Sequence, residues 1–210
     1  MTDSHLQGEA TSRRRRLLLT VALVFAGVVA VIGLAVLFFV ATTQEFEPDE
    51  AQRRALLTAV DITAAFDLDY DPALERWSGE RYFDESWELS YEYEGDGLYI
   101  MSTVTGETSV DDAALTYESS WQGMRIGVQF ADAPDTELRD ASELFAWGDA
   151  SRFGFMTSEG APFATYLLTR KDTRVVSVIV GGVLLDDEAS TRALLEPALA
   201  QAVAVDVDRE

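Results

Sequence analysis

Apolar positions fall into two regimes along this chain. From Leu17 to Ala41 they run unbroken, without charge or proline, and Thr20 is the one polar side chain. At about 1.5 Å of rise per residue the run makes a helix roughly 37 Å long, enough to cross a ~30 Å hydrocarbon core with some tilt. A core helix of a soluble domain keeps a polar stripe, and this segment has none. After residue 41 the pattern changes to short periodic stretches separated by turn residues, the mark of a globular domain.

Residues 42–48 read as a linker closing at Pro48, a residue that suits the first turn of a helix. From Asp49 to Phe66 the residues Ala55, Leu56, Ala59, Val60, Thr63 and Phe66 recur at helical spacing. Asp49 and Glu50 complement the dipole at its start, so one amphipathic helix is expected. Residues 67–86, acidic and aromatic with Pro72 and Gly79, are expected to be irregular. Trp87, Leu89, Tyr91 and Tyr93 alternate with polar residues and predict a half-buried strand. Gly95-Asp96-Gly97 turns it, and Leu98 to Val104 returns as its partner. Ser109 and Asp112 resemble a capping box. Val110, Ala114, Tyr117, Trp121, Met124 and Val128 then mark one face of a helix of about twenty residues.

A loop is expected over Asp132 to Asp140, and a short strand or turn over Leu144 to Trp147. Three strands follow as a meander, Arg152 to Thr157, Phe163 to Arg170 and Thr173 to Gly181. The last is almost continuous in β-branched residues, which predicts a central strand covered on both faces. Asp186 and Asp187 open a final helix through Leu194, Leu195, Leu199 and Val203, which Pro197 should kink or split. Residues 205–210 read as a polar tail. The expected class is α+β: a single N-terminal transmembrane helix, then one domain over residues 49–204. Its antiparallel sheet, a hairpin plus a three-stranded meander, is packed by about three helices.

The flanks orient the span. Arg13 to Arg16 precede it, and Thr42, Thr43, Gln44, Glu45, Phe46 and Glu47 follow it. The positive-inside bias places residues 1–16 in the cytoplasm as a short tail and the later domain outside, in a single-pass plasma (inner) membrane protein. A cleaved signal peptide would carry a shorter apolar core and a small-x-small cleavage site. Lipidation at a cysteine is excluded, because the chain has none. Ala22, Ala26, Ala30 and Gly33 line one face of the span, a spacing that its Ala-, Gly- and Val-rich composition also produces by chance.

The formal net charge is −21. Residues 1–41 hold Arg13 to Arg16 against Asp3 and Glu9, a net of +2, which leaves −23 on the rest. So acidic a domain does not suit nucleic acid or anionic head groups; it attracts cations or basic partners, or is simply kept soluble, as in a salty medium. Lys171 is the lone lysine beside common arginine, a skew that fits a GC-rich or halophilic bacterial or archaeal genome. Without cysteine there are no disulfides and no thiol chemistry. The sole histidine is His5, so the outer domain has no imidazole. That removes Ser-His-Asp and Cys-His catalysis and zinc sites built on His and Cys.

Asp67, Asp69 and Asp71 alternate as at the start of a calcium loop, but Pro72 and Ser78 stand where such a loop needs glycine and glutamate. The bland reading is a solvated acidic loop, and no cofactor or metal is expected. Lys171 sits in a polar turn, where a lysine is solvated and unsuited to a Ser-Lys dyad. Trp77, Tyr82, Phe83 and Trp87 cluster beside carboxylates. Exposed, they would bind a partner; buried, they would anchor a loop to the sheet.

Gly148-Asp149-Ala150, then Leu167-Leu168-Thr169-Arg170-Lys171-Asp172-Thr173-Arg174-Val175-Val176-Ser177-Val178 and a closing helix resemble small Mog1/PsbP-like or bacterial lipoprotein sensor-like extracytoplasmic domains. The hairpin and the helix from Val110 fit the same plan, so the resemblance covers about two thirds of the outer domain. It implies a non-enzymatic binding or assembly module, by analogy of fold alone. The expected function is thus a membrane-anchored extracytoplasmic binding module with a protein partner near the bilayer. The alternatives are a carboxylate-based extracytoplasmic enzyme, with or without calcium, or a ligand sensor acting through a membrane partner.

Overall fold

The structure is a computed structural model that describes residues 43–95, 97–129 and 135–207. The expected tail 1–16, the expected membrane helix 17–41, Asp96 of the hairpin turn and residues 208–210 lie outside the described residues, as do residues 130–134. Among the described residues no helix is long and apolar enough to cross a membrane. The unit that begins at Gln44 is an α+β domain.

Eight strands form its sheet: β1 Gln44–Phe46, β2 Glu75–Arg81, β3 Trp87–Gly95, β4 Leu98–Gly106, β5 Glu137–Asp140, β6 Ala150–Ser158, β7 Ala161–Lys171 and β8 Arg174–Gly181. Every neighbouring pair is antiparallel, in the order β1-β2-β3-β4-β8-β7-β6-β5. Two four-stranded meanders therefore meet at the β4–β8 seam. Four helices accompany them: α1 Glu50–Arg53, α2 Ala59–Phe66, α3 Val110–Gln129 and α4 Glu188–Ala204. The hairpin, the meander and the long middle helix stand where their periodicity put them. β8 is central, and Val175, Val176, Val178 and Val180 are all buried.

Four elements depart from expectation. The 49–66 helix is two helices, because Leu56 and Leu57 are both buried and no single helical stripe would hold them with Ala55. The break is held from below: the Leu57 N–H donates to the buried Ser102 Oγ of β4 at 3.1 Å. Thr58 restarts the helix through Asp61, whose carboxylate accepts from the Thr58 N–H at 2.9 Å. Residues 44–46, read as linker, are an edge strand whose Phe46 ring lies across Gly79, where a side chain would collide. Residues 75–81, read as irregular, are β2, a strand with Trp77 as its one large apolar residue. Residues 137–140, read as loop, are the edge strand β5. Leu144 to Trp147, expected as a short strand or turn, follows the second reading: the Leu144 N–H closes a turn on the Ala141 carbonyl at 2.9 Å, and Phe145 is buried in the core.

Pro197 does not split α4, which runs through it. It stands on the exposed side, so the Ala193 carbonyl that loses its N–H partner faces away from the core. Nor do residues 205–207 trail off as a tail. Val207 is buried, and the guanidinium groups of Arg174 and Arg81 donate to the Val205 and Val207 carbonyls at 3.2 and 2.8 Å.

The first face of the sheet carries Trp87, Leu89 and Tyr91 of β3, Ile100 and Val104 of β4, Val176 and Val178 of β8, and Phe153 and Phe155 of β6. Leu56 and Leu57 from the break between α1 and α2, Ile62 of α2, and Leu195 and Leu199 of α4 join them in one core. Among the described residues α3 is the helix that packs the second face, over β5, β7 and β8. Arg152 fastens it there, with its guanidinium 4.7 Å from the Trp121 ring centre and 5.8 Å from that of Tyr117.

Candidate functional site

The four aromatic residues singled out in the sequence do not share a surface. Trp87 is 4% exposed, under the Arg174 guanidinium at 4.9 Å. Tyr82 follows β2 and donates its hydroxyl to Glu80 at 2.9 Å; burial pushes its ionisation upward, with the Glu80 bond adding to it. Phe83 is 63% exposed in the turn between β2 and β3. Trp77 is half-buried on the first face, where the helices leave a gap.

Trp77 is built in from three sides. Its register partner on β3 is Tyr91, with ring centres 4.4 Å apart. The Arg53 guanidinium at the end of α1 lies 5.0 Å from the indole centre, held by the Pro48 carbonyl at 2.9 Å and the Glu47 carboxylate at 2.7 Å. Its indole N–H points to Glu75 at 3.3 Å. Glu75 also accepts the Tyr91 hydroxyl at 3.1 Å, while that hydroxyl accepts the Ala59 N–H opening α2 at 2.9 Å. Burial pushes the Tyr91 ionisation up, and it pushes Tyr70, which also bonds Glu75, up to about 12. Both phenols therefore stay protonated at neutral pH and act as fixed donors.

Above Trp77 runs a trough of about 820 Å³ between the N-terminal helices and α4. Leu56, Val60 and Ala64 form one wall, Leu194, Pro197 and Ala198 the other, and Arg54, Glu50 and Asp61 the rim. At Ala193 and Leu194 it meets a second hollow of about 390 Å³ beside Phe66 and Leu185. Val60 is 50% exposed and Phe66 37%. Helical spacing had set both in the core, but the residues of α2 that reach it are Ala59, Ile62 and Thr63. The signal missed in the sequence was the second apolar face of this helix. An open, apolar-walled trough with a charged rim suits the side chains of a bound segment.

Two of the three aspartates considered for a calcium loop have structural roles. Asp67 ends α2 in a left-handed conformation, and Asp71 accepts the Ala73 N–H at 3.0 Å. Lys171 donates to Asp149 at 2.9 Å, which raises its pKa. Among the described residues no group of three or more His, Cys, Asp or Glu side chains is placed to hold a metal ion.

No protein-family model matches this chain. No curated protein matches it. Two solved structures align with it weakly. The extracellular domain of PknH from Mycobacterium tuberculosis is 12% identical, with 78% of this chain and 86% of that one covered, at a TM-score of 0.36. An uncharacterized protein of Mycobacterium smegmatis is 12% identical, with 76% and 85% covered, at a TM-score of 0.28. The chain thus bears a weak, fold-level resemblance to an extracellular domain, and at these TM-scores the likeness says nothing of its activity.

Proposed function

We propose that this chain is a single-pass, membrane-anchored binding module without catalytic activity. Residues 17–41 hold it in the bilayer, and its acidic domain lies on the extracytoplasmic side. The anchor rests on the uncharged apolar run and on Arg13 to Arg16 before it. The binding role rests on one observation: the trough between α2 and α4, floored by Trp77 and continued past Leu194 into the hollow at Phe66. Its occupant is a segment of a partner protein that presents apolar side chains at helical spacing, as in helix-in-groove recognition.

A photo-crosslinking residue placed at Val60 or Ala64 of the full chain in its native membrane tests this. A discrete adduct is expected from both positions. None is expected from Leu115, which is 70% exposed on α3. The adduct should disappear in Trp77→Ala. Equal capture from Leu115, or an adduct indifferent to Trp77→Ala, would refute the trough as the site.

A further inference from the structure

The two faces of the sheet are covered unequally. On β3 and β4 the residues turned to the first face, Trp87 to Tyr93 and Leu98 to Gly106 at every second position, are buried. Those turned to the second face are half-buried or exposed without exception, because the packing of α3 falls on β5, β7 and β8 and on Arg152 of β6. Two rows lie side by side there. Glu88, Glu92 and Glu94 of β3 stand directly opposite Thr105, Met101 and Tyr99 of β4. Glu80 of β2 stands opposite Glu88, two like charges as direct cross-strand neighbours. Such a pair destabilises a bare sheet. Burial, and next Glu80, push the Glu88 carboxyl above its usual range. On β2, β3 and β4 the strands set one cation on this face, Arg76, 3.7 Å from Glu92, while Arg152 and Arg170 lie farther across it beside α3.

At the Glu94 end the rows run into an apolar hollow of about 440 Å³ lined by Tyr99, Met156, Phe163, Ala164, Ile179 and Gly181. Phe163 is 43% exposed at its lip. Gly181 keeps the hollow open. A Cβ added there would meet the Tyr99 and Ala164 Cβ atoms at 3.5 and 4.0 Å, ordinary contacts, so nothing in the packing demands glycine.

We propose that this open face of β2–β4 docks a basic, amphipathic segment of a partner protein. An apolar side chain of the segment fills the hollow at Gly181, and its lysine or arginine side chains lie along Glu94, Glu92 and Glu88. The charges select the occupant. A second copy of this acidic domain, nucleic acid and anionic lipid would all bring like charge to the carboxylate row, whereas a cation relieves the Glu80–Glu88 repulsion. The hollow sets the register. From Glu94 to Glu88 the row spans about 20 Å, the length of a helix of roughly thirteen residues. This surface is separate from the Trp77 trough, which lies on the opposite face.

The test uses the full chain in phosphatidylcholine nanodiscs, whose lipid carries no net charge, with empty discs as the blank. One probe is a labelled peptide of alternating lysine and serine with a central leucine; a second has serine in place of the leucine. The leucine peptide is expected to bind about tenfold or more tightly than the serine peptide, as for burial of one aliphatic side chain. Gly181→Leu should erase that difference without lowering the melting temperature. Phe163→Ser should narrow it, which keeps the apolar anchor testable should Gly181→Leu not fold. Glu88→Gln with Glu92→Gln should weaken both peptides several-fold and flatten their salt dependence, while Trp77→Ala should change neither. Equal affinity for the two peptides would overturn the proposal and leave diffuse acidity as the whole attraction. Indifference to the Gly181 and Phe163 variants, or to the glutamate variants, would overturn it too, and a loss caused by Trp77→Ala would move the site to the trough.

Discussion

Tyr91→Phe tests whether the sheet holds the trough in shape. Tyr91 is 0% exposed, and its hydroxyl is the acceptor for the Ala59 N–H at the first turn of α2. Ala59 is also 0% exposed, so water cannot replace the lost oxygen. A buried donor left without an acceptor costs about 1–3 kcal/mol. The other partner loses little: Glu75 is half-exposed and keeps the Trp77 indole N–H at 3.3 Å. The phenyl ring retains the packing against Trp77, so no cavity term is added. The net expectation is a loss of about 2 kcal/mol. For a domain of this size that lowers the melting temperature by about 4–8 °C. Thermal melts of the full chain in nanodiscs, followed by circular dichroism, read this directly. Tyr70→Phe is the control. Tyr70 is half-exposed and bonds the same carboxylate, so its removal should cost under about 1 kcal/mol. A Tyr91→Phe domain as stable as the parent would refute the argument. So would equal losses from both variants, which would trace the effect to Glu75 rather than to the start of α2.

Glu88→Gln should stabilise the domain by about 0.2–1 kcal/mol at neutral pH, because it removes one of two directly opposed charges and retains an acceptor for Thr105. The folded-state pKa of Glu88 lies above its unfolded value, so its favourable term is present below the unfolded pKa and lost as pH rises through the folded one. The gap in melting temperature between variant and parent should therefore close as the pH is lowered into the carboxylate range. Adjacent glycines should behave oppositely. Gly182→Ala should cost roughly 3 kcal/mol or more, because its φ is +90° and a Cβ there strikes the Gly97 carbonyl, whereas Gly181→Ala should be nearly neutral, both read by thermal melts. Truncation after Ala204 should cost about 2–4 kcal/mol in the same assay, since it removes buried Val207 and leaves Arg174, whose pKa burial lowers, without its backbone acceptor.

Elements with a strong period were legible in the sequence. Alternation through Trp87–Tyr93 gave β3 and the choice of its buried face. The row from Val110 to Val128 gave α3, although Ala113 takes the core position that Val110 was expected to fill. What escaped was set by tertiary partners. β2 carries one large apolar side chain and is a strand because β1 and β3 flank it. The break before α2 depends on a serine forty-five residues away, whose hydroxyl meets the Leu57 N–H. Ser102 interrupts the apolar row Leu98, Ile100, Val104, and read alone it is a flaw in a strand. With the helices above, it is the acceptor that a non-helical turn over an apolar sheet requires. The trough escaped for the same reason, because Val60 and Phe66 fit a helical spacing whose core-facing members are other residues.

The uncovered second face follows from the dimensions of the layers. Eight strands at about 4.8 Å spacing make a sheet roughly 34 Å wide, while a helix with its side chains is about 10 Å across and shields two or three strands. Among the described residues the first face receives α2 and α4, with Arg53 of α1 over Trp77, and the second receives α3. Some part of the second face had to remain wet, and its residues record which. Ser90, Thr103 and Thr105 tolerate water on a β surface, while Ser177 and Ile179 of β8 lie at the margin of the helix. The same rows hold Glu88, Glu92 and Glu94, which a solubilising role would place on loops as readily as on a sheet. Aligned on one strand and leading to an open apolar hollow, they form a surface with direction. A partner that matches it gains both the charge contrast and a fixed register, and the alternation of β3 and β4 encodes the two together.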